Sequence, residues 1–552
     1  MRNDLWFKNA VFYQIYPRSF CDSNGDGIGD IKGIISKLDY LKDLGVNCVW
    51  LSPCYKSPND DIGYDISDYY SINPEYGDMN DFKEMLDGFH KRGMKLIMDL
   101  VVNHTSDEHP WFVESKNPES PYRDYYYWRK GKKPGVAPNN WNSNFTGDAW
   151  EYDKDTDSYY LHLFTKKQVD LNWENPAVRA EVLKILNFWF DFGVDGFRCD
   201  VINYISKKEG LPDDNSLFNP LKGAKYYCNG EKIHQYINFL NEEAFGKREK
   251  LFLGECGGTT TQDALDYTAR DRHEMDLIFN FEHVMSSTIS KYIPLKFKLK
   301  NFKKIISHWQ TDLMKKGWNS LYLENHDQTR SLNHFGNVDE FRIQSAKLLA
   351  TMLATLKGSI FIYEGQELGM INHHFDKIED FSDTATQSVY RLAHNKLHLP
   401  RKFLLNCFNQ TARDHARTPM QWSADSNGGF SSGSPWMPIN ADYKTCNVSV
   451  ETADENSVLN YYKELLKFRK KNNVIIDGDF TEILKNSKKF YVYTRTYEDK
   501  NLLVVLNWSD KSNSLPHNSM NGFGNAKYVF GNYSAAPLTA EFKPYEARVY
   551  RF

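Results

Sequence analysis

Three carboxylates stand at the ends of apolar runs that are far apart in this 552-residue chain. Asp200 closes Gly196-Phe197-Arg198-Cys199-Asp200-Val201-Ile202-Asn203, Glu255 closes Leu251-Phe252-Leu253-Gly254-Glu255, and Asp327 lies in Glu324-Asn325-His326-Asp327-Gln328. A fourth run, Asp99-Leu100-Val101-Val102-Asn103-His104, precedes them. Each has the β-branched and aromatic character of a buried strand. Acids placed where parallel strands end are how barrel enzymes assemble sites. One charged carboxylate beside one protonated carboxylic acid is the pair that glycoside chemistry uses. Any one of these acids alone is better read as a helix cap or an exposed loop group. Three at matching strand ends are not.

Positioning such groups takes a regular scaffold. Eight candidate strands run at Val11–Ile15, Cys48–Leu51, Lys95–Val101, Gly196–Arg198, Leu251–Gly254, Leu277–Phe279, Ser320–Leu323 and Ile360–Tyr363. Between most of them lie amphipathic stretches, Ile34–Leu44, Asp81–Lys91, Val178–Phe192, Phe302–Lys316 and Phe341–Leu356. Gly45, Gly93, Gly193, Gly317 and Gly358 follow as C-terminal caps. The alternation predicts an α/β fold, a parallel (β/α)8 TIM barrel. Two stretches are too long for plain loops. Residues 105–171 predict a small excursion domain after strand three, and about 371–436 an extended insertion after strand eight. From 480 the period changes to two, as in Phe490–Arg495 and Leu502–Leu506, which predicts a C-terminal antiparallel β-sandwich over 480–552. The barrel then comprises 1–104 and 172–479.

Composition excludes several partners. A net charge of −4 offers no basic field for nucleic acid or an anionic membrane. No window is long and apolar enough to span a bilayer, and Met1–Lys8 lacks the apolar stretch of a signal peptide. The 8 cysteines show neither zinc-ligand spacing nor a disulfide framework. A reduced, cytoplasmic location and a monomeric chain are expected.

One further segment carries metal chemistry. Asp22-Ser23-Asn24-Gly25-Asp26-Gly27-Ile28-Gly29-Asp30 has oxygen donors at alternating positions, with glycines allowing a tight turn. It follows a strand rather than a helix, so an EF-hand is not expected. A metal-free Asx-turn is the plainer alternative.

These segments, in this order, resemble the α-amylase superfamily of glycoside hydrolases. Tyr13-Gln14-Ile15-Tyr16-Pro17-Arg18-Ser19-Phe20, Asp61-Ile62-Gly63-Tyr64-Asp65, Gln168-Val169-Asp170-Leu171-Asn172-Trp173 and Ala416-Arg417-Thr418-Pro419-Met420-Gln421-Trp422 extend the resemblance, towards the oligo-1,6-glucosidase and α-glucosidase branch. It implies Asp200 as nucleophile, Glu255 as general acid/base and Asp327 as the third acid, on the sugar 2- and 3-hydroxyls. Arg198, two residues before Asp200, projects to the same side and would keep it ionised. His104 and His326 match the family histidines at the −1 sugar. Asp61 and Arg417 match a pair gripping the 4- and 6-hydroxyls of a terminal glucose, which makes such enzymes exo-acting; a surface ion pair is the alternative. Tyr64 would stack on the sugar and Gln168 neighbour it. Asp99 and Arg330 would support from behind. The same resemblance puts a structural Ca2+ on Asp22, Asn24, Asp26, the Ile28 carbonyl and Asp30, and implies no organic cofactor.

Val201, after the nucleophile, accompanies α-1,6 cleavage in the resembling branch, and Thr accompanies α-1,4. The expected activity is therefore a retaining, exo-acting α-glucosidase on isomaltose, panose and similar short oligosaccharides. An α-1,4-preferring or broad enzyme that also takes maltose or sucrose is the alternative. A trehalose-6-phosphate hydrolase, a sucrose isomerase and a non-catalytic barrel scaffold fit less well. The chain departs from the branch at Cys256-Gly257-Gly258, where Met-Pro is frequent, at Thr329 in place of Pro and at Glu324 in place of Asn.

Overall fold

A computed structural model describes residues 5–217 and 221–552. The first four residues of the Met1–Lys8 segment lie outside the described residues. Eight strands form one parallel sheet: β1 Val11–Ile15, β2 Cys48–Leu51, β3 Lys95–Leu100, β4 Gly196–Cys199, β5 Leu251–Glu255, β6 Leu277–Phe279, β7 Ser320–Leu321 and β8 Ser359–Tyr363. Their spatial order is β6-β5-β4-β3-β2-β1-β8-β7. Sequence neighbours pair except β6 with β7, and among the described residues the one non-consecutive pairing in this sheet is β1 with β8. The remaining seam, between β6 and β7, is closed by side chains. Tyr322 donates its hydroxyl to the Asn280 carbonyl at 2.6 Å, and its ring sits edge-on to Phe279 at 5.1 Å. The sheet is a nearly closed (β/α)8 barrel whose strands are buried throughout.

Helices return the chain between strands. Met79–Lys91 starts on a capping box from Asp78, and Pro176–Phe192 starts on the Asn175 side chain with Pro176 in its first turn. Gly193 ends the latter at φ 118°. The stretch expected over 34–44 is two helices, Ile31–Ser36 and Leu38–Leu44, broken at Lys37 and closed by Gly45 at φ 103°. The helix before Gly317 has already ended at Asp312, so that glycine does not cap it.

The stretch 105–171 contains a three-stranded antiparallel sheet of Trp128–Arg129, Trp150–Asp153 and Ser158–Leu161. Its ends are tied by a second ladder, His104–Ser106 against Gln168–Asp170. A fully buried ion pair, Lys207 Nζ to Asp170 Oδ1 at 2.7 Å, fastens that ladder to the segment after β4. The last region is a five-stranded antiparallel sheet of Asp479–Ile483, Phe490–Tyr497, Lys500–Asn507, Ala547–Arg551 and Lys527–Gly531, in that spatial order. One face, with Tyr491, Tyr493 and Val504, joins the barrel core. The other, with Phe490, Val492, Leu503 and Val505, is covered by Leu538 and Phe542 from the connecting segments. Buried Arg495 Nη1 donates to the Thr355 carbonyl at 2.9 Å, placing a cation at the C-terminal end of helix Arg342–Thr355.

Candidate active site

The parallel register builds the centre of the site. Arg198 of β4 pairs with Asp99 of β3 and Leu253 of β5, so groups at this level and two residues on converge at the C-terminal mouth. Arg198 Nη1 donates to Asp99 Oδ1 at 2.6 Å and to Asp200 Oδ1 at 2.7 Å, while Nη2 lies 2.6 Å from Glu255 Oε2. One guanidinium thus spans both carboxyls. Two acids held on one guanidinium suit the closer, retaining arrangement rather than the wider inverting one. Asp99 is held in turn by Trp50 Nε1 at 3.0 Å and the Tyr64 hydroxyl at 3.1 Å.

Val201 follows Asp200 in the left-handed region, at φ 35° and ψ 41°. For a β-branched residue this costs roughly 1–3 kcal/mol. It turns the strand abruptly into the short helix Ile202–Tyr204. The Val201 N–H lies 3.1 Å from Glu255 Oε2.

Loops supply the rest. Asp327 lies six residues beyond β7, not at its end, because that strand stops at Leu321. Its backbone is held by the Asn325 side chain at 2.9 Å. Arg413 Nη1 donates to Asp327 Oδ1 at 2.7 Å, and Arg417 Nη2 to the same oxygen at 3.2 Å. The arginine in contact with Asp61 Oδ1, at 3.2 Å, is Arg413, while Arg417 holds Asp327 and the His326 carbonyl. The two arginines flank one short helix, Asp414–Arg417, and their spacing of four puts both on one side. That spacing was the signal available in the sequence. Buried Asp383, also unforeseen, accepts from Arg413 Nε at 2.9 Å and fixes this turn.

A pocket of about 340 Å³ opens here. Asp200, Glu255 and Asp327 line it together, as do Asp61, Tyr64, His104, Gln168 and Val201. Arg198, His326 and Arg417 stand behind its wall, whereas Arg413 and Lys291 are in it. Gln168 Nε2 donates to Asp61 Oδ2 at 3.2 Å. His104 and Gln168 are adjacent because their strands pair. The Tyr64 ring is stacked on His326 at 5.2 Å, and Tyr16 stacks on the same imidazole. His326 Nδ1 faces the Gln14 amide at 2.7 Å, which assigns the proton to Nε2, on the Asp327 side.

Six carboxyls, Asp61, Asp99, Asp200, Glu255, Asp327 and Asp383, contact only three guanidiniums, Arg198, Arg413 and Arg417. They cannot all stay ionised. Burial pushes Glu255 up to about 8, against the pull of Arg198 and with the help of Asp200 and Asp327. Burial also pushes Asp200 up to about 7; Arg198 acts to lower it, as expected, but does not outweigh desolvation. Asp327 behaves oppositely: burial opposes its charge, yet the cations Arg413, Lys291 and Arg417 hold it well below the usual carboxylate range. Burial lowers His104 to about 4 and His326 to about 3, so both are neutral hydrogen-bonding groups.

Of the departures, Gly257 lines the pocket, Cys256 is fully buried away from solvent, and Thr329 bonds Asn372. Glu324 pairs with Arg330 at 3.2 Å, both buried behind the pocket.

The loop 22–30 lies outside the pocket. Asp22 accepts from the N–H groups of Asn24, Gly25 and Gly27 and from Ser431, and Asp30 from Ser23 and Gly33. Among the described residues, Asp22, Asp26 and Asp30 have no cationic side chain within ion-pair distance, although Asp22 and Asp30 are 9% and 4% exposed. An all-oxygen set with uncompensated charge fits a hard cation. Among the described residues, no three metal-type side chains already converge.

A (β/α)8 barrel with paired acids on one guanidinium at its C-terminal mouth defines a glycoside hydrolase. The α-amylase catalytic-domain family matches residues 14–478, and the chain belongs to that family. It is 48% identical over 558 residues to an oligo-1,6-glucosidase of Parageobacillus thermoglucosidasius, covering 99% of each chain. A trehalose-6-phosphate hydrolase of Bacillus licheniformis superposes with a TM-score of 0.93 at 43% identity, over 99% of this chain and 100% of that one. An isomaltulose synthase of Erwinia rhapontici gives 0.95 at 40% identity, over 99% of both. Among the described residues, no helix is long and apolar enough to cross a membrane.

Proposed function

We propose that this chain is a retaining, exo-acting α-glucosidase that releases glucose from terminal α-1,6 bonds of short isomalto-oligosaccharides. The observation that carries the reading is the pocket itself: the three acids share one small cavity with the linked polar group Asp61–Arg413–Gln168. Such a group would grip the outer hydroxyls of a terminal glucose, which makes the enzyme exo-acting. Similarity to oligo-1,6-glucosidases supports the linkage.

In the first step an Asp200 oxygen forms a bond to C1 of the glucose. The C1–O bond breaks, its electron pair stays on the leaving oxygen, and that oxygen takes the Glu255 proton. In the second, water gives a proton to Glu255 while its oxygen bonds C1, and Asp200 leaves as carboxylate. Asp327, charged and held by two arginines, takes the 2- and 3-hydroxyls; neutral His104 adds a hydrogen bond, and His326 backs Asp327 and Tyr64. The same reading divides the chain into a barrel (1–104 and 172–479), a small domain (105–171) and a C-terminal domain (480–552), in a monomeric cytoplasmic protein. It places Ca2+ on Asp22, Asn24, Asp26, the Ile28 carbonyl and Asp30, as a stabiliser remote from the reaction.

Rates on isomaltose, maltose, sucrose and trehalose-6-phosphate test the reading, with the anomer of the first-formed glucose followed by NMR. Preference for isomaltose with α-glucose appearing first is expected. Preference for maltose would move the chain to the α-1,4 class, and β-glucose would exclude retention.

A further inference from the structure

We propose that Val201 is a positioning residue: its main-chain N–H, together with Arg198, confines the acid proton of Glu255 to Oε1. This rests on the reading of Glu255 as general acid. Two obligatory donors converge on one carboxyl oxygen, the cationic Arg198 Nη2 at 2.6 Å and the Val201 N–H at 3.1 Å. Neither can accept a hydrogen bond. A proton on Oε2 would point at one of these two hydrogens, so the protonated acid must carry it on Oε1. That is the oxygen left for the leaving group, and for Asp200 when no sugar is bound. The same guanidinium takes Asp200 Oδ1 at 2.7 Å and leaves Oδ2 for attack. The working oxygen of each carboxyl is thus fixed by the donor on its twin.

The Asp200 N–H turns to β3, onto the Leu100 carbonyl at 2.9 Å, and alternation along the strand turns the next N–H, that of Val201, the other way, to β5. The left-handed turn at Val201 then takes the chain out of the ladder and into Ile202–Tyr204. The Val201 side chain can shape the pocket wall at the same time, but the two roles separate experimentally.

The test replaces the Val201 amide by an ester, using α-hydroxyisovalerate installed by nonsense suppression, which keeps the side chain and removes only the N–H. kcat/KM is measured on isomaltose, whose leaving group needs the acid, and on α-glucosyl fluoride, whose leaving group does not. The ester is expected to lower kcat/KM for isomaltose about tenfold or more and leave the fluoride within about twofold. The alkaline limb of the pH profile should move up, because a carboxylate loses a donor. Val201→Gly keeps the N–H and takes the left-handed conformation freely, so the ratio of the two substrates should stay at its starting value. Equal loss on both substrates in the ester, no loss on either, or a selective loss in Val201→Gly that matches the ester would each overturn the proposal. Glu255→Gln tests the underlying reading separately: if it lowers both substrates equally, Glu255 is not the acid.

Discussion

The two walls of the pocket are built by different means. On one side Asp99, Arg198, Asp200 and Glu255 come from three adjacent parallel strands, and their contacts follow from ladder register. On the other, Asp61, Asp327, Asp383, Arg413 and Arg417 come from loops, and their contacts follow from ion pairing. Burial raises the carboxyl pKa values on the strand wall, where one cation serves three acids, and lifts Asp61 on the loop wall to about 6, while two arginines keep Asp327 charged. In the proposed mechanism the proton transfers fall on the strand side and the hydroxyl contacts of Asp327 on the loop side.

The largest effect should come from the strand wall. Asp200→Asn and Glu255→Gln are each expected to lower kcat on isomaltose ~10³-fold or more with circular dichroism unchanged. Activity within tenfold of the parent in either variant would remove the distinction between the walls. On the loop wall, Arg413→Ala leaves three buried carboxyls short of a partner; a loss of about 3–5 kcal/mol is expected, divided between binding and folding. Isomaltose KM and thermal unfolding measure the two parts, and Arg417→Ala, which touches neither Asp61 nor the cavity, should raise KM less.

The pH profile sharpens the comparison. Activity requires Asp200 ionised and Glu255 protonated, so kcat/KM should fall below about pH 7 as Asp200 takes a proton and above about pH 8 as Glu255 loses its own. Arg198 stabilises both anions, so Arg198→Met should move both limbs upward. A profile flat from pH 5 to 10 would contradict the charge imbalance. The smallest effect belongs outside both walls: chelation, or Asp22→Ala, should lower the unfolding temperature by a few degrees while kcat at 25 °C stays near the parent value.

Legibility in the sequence follows the same division. The eight strands are readable because buried parallel strands are continuous apolar runs, and Arg198–Asp200 because alternate residues share a side. The arginine on Asp61 is not: Arg413 and Arg417 sit one turn apart, and both contact the Asp327 carboxylate. Asp383 carries no pattern of its own in Phe381-Ser382-Asp383-Thr384, and its role exists only where the turn beyond β8 meets the loop after β2.

The sequence by itself determined the alternation of strands and helices, the acids at strand ends and the family, since periodicity and short-range motifs are local properties of the chain. Tertiary structure alone decided which arginine meets which carboxylate and which oxygen of each acid is free to react. Those choices depend on distances between segments hundreds of residues apart, and on how far burial outweighs neighbouring charge.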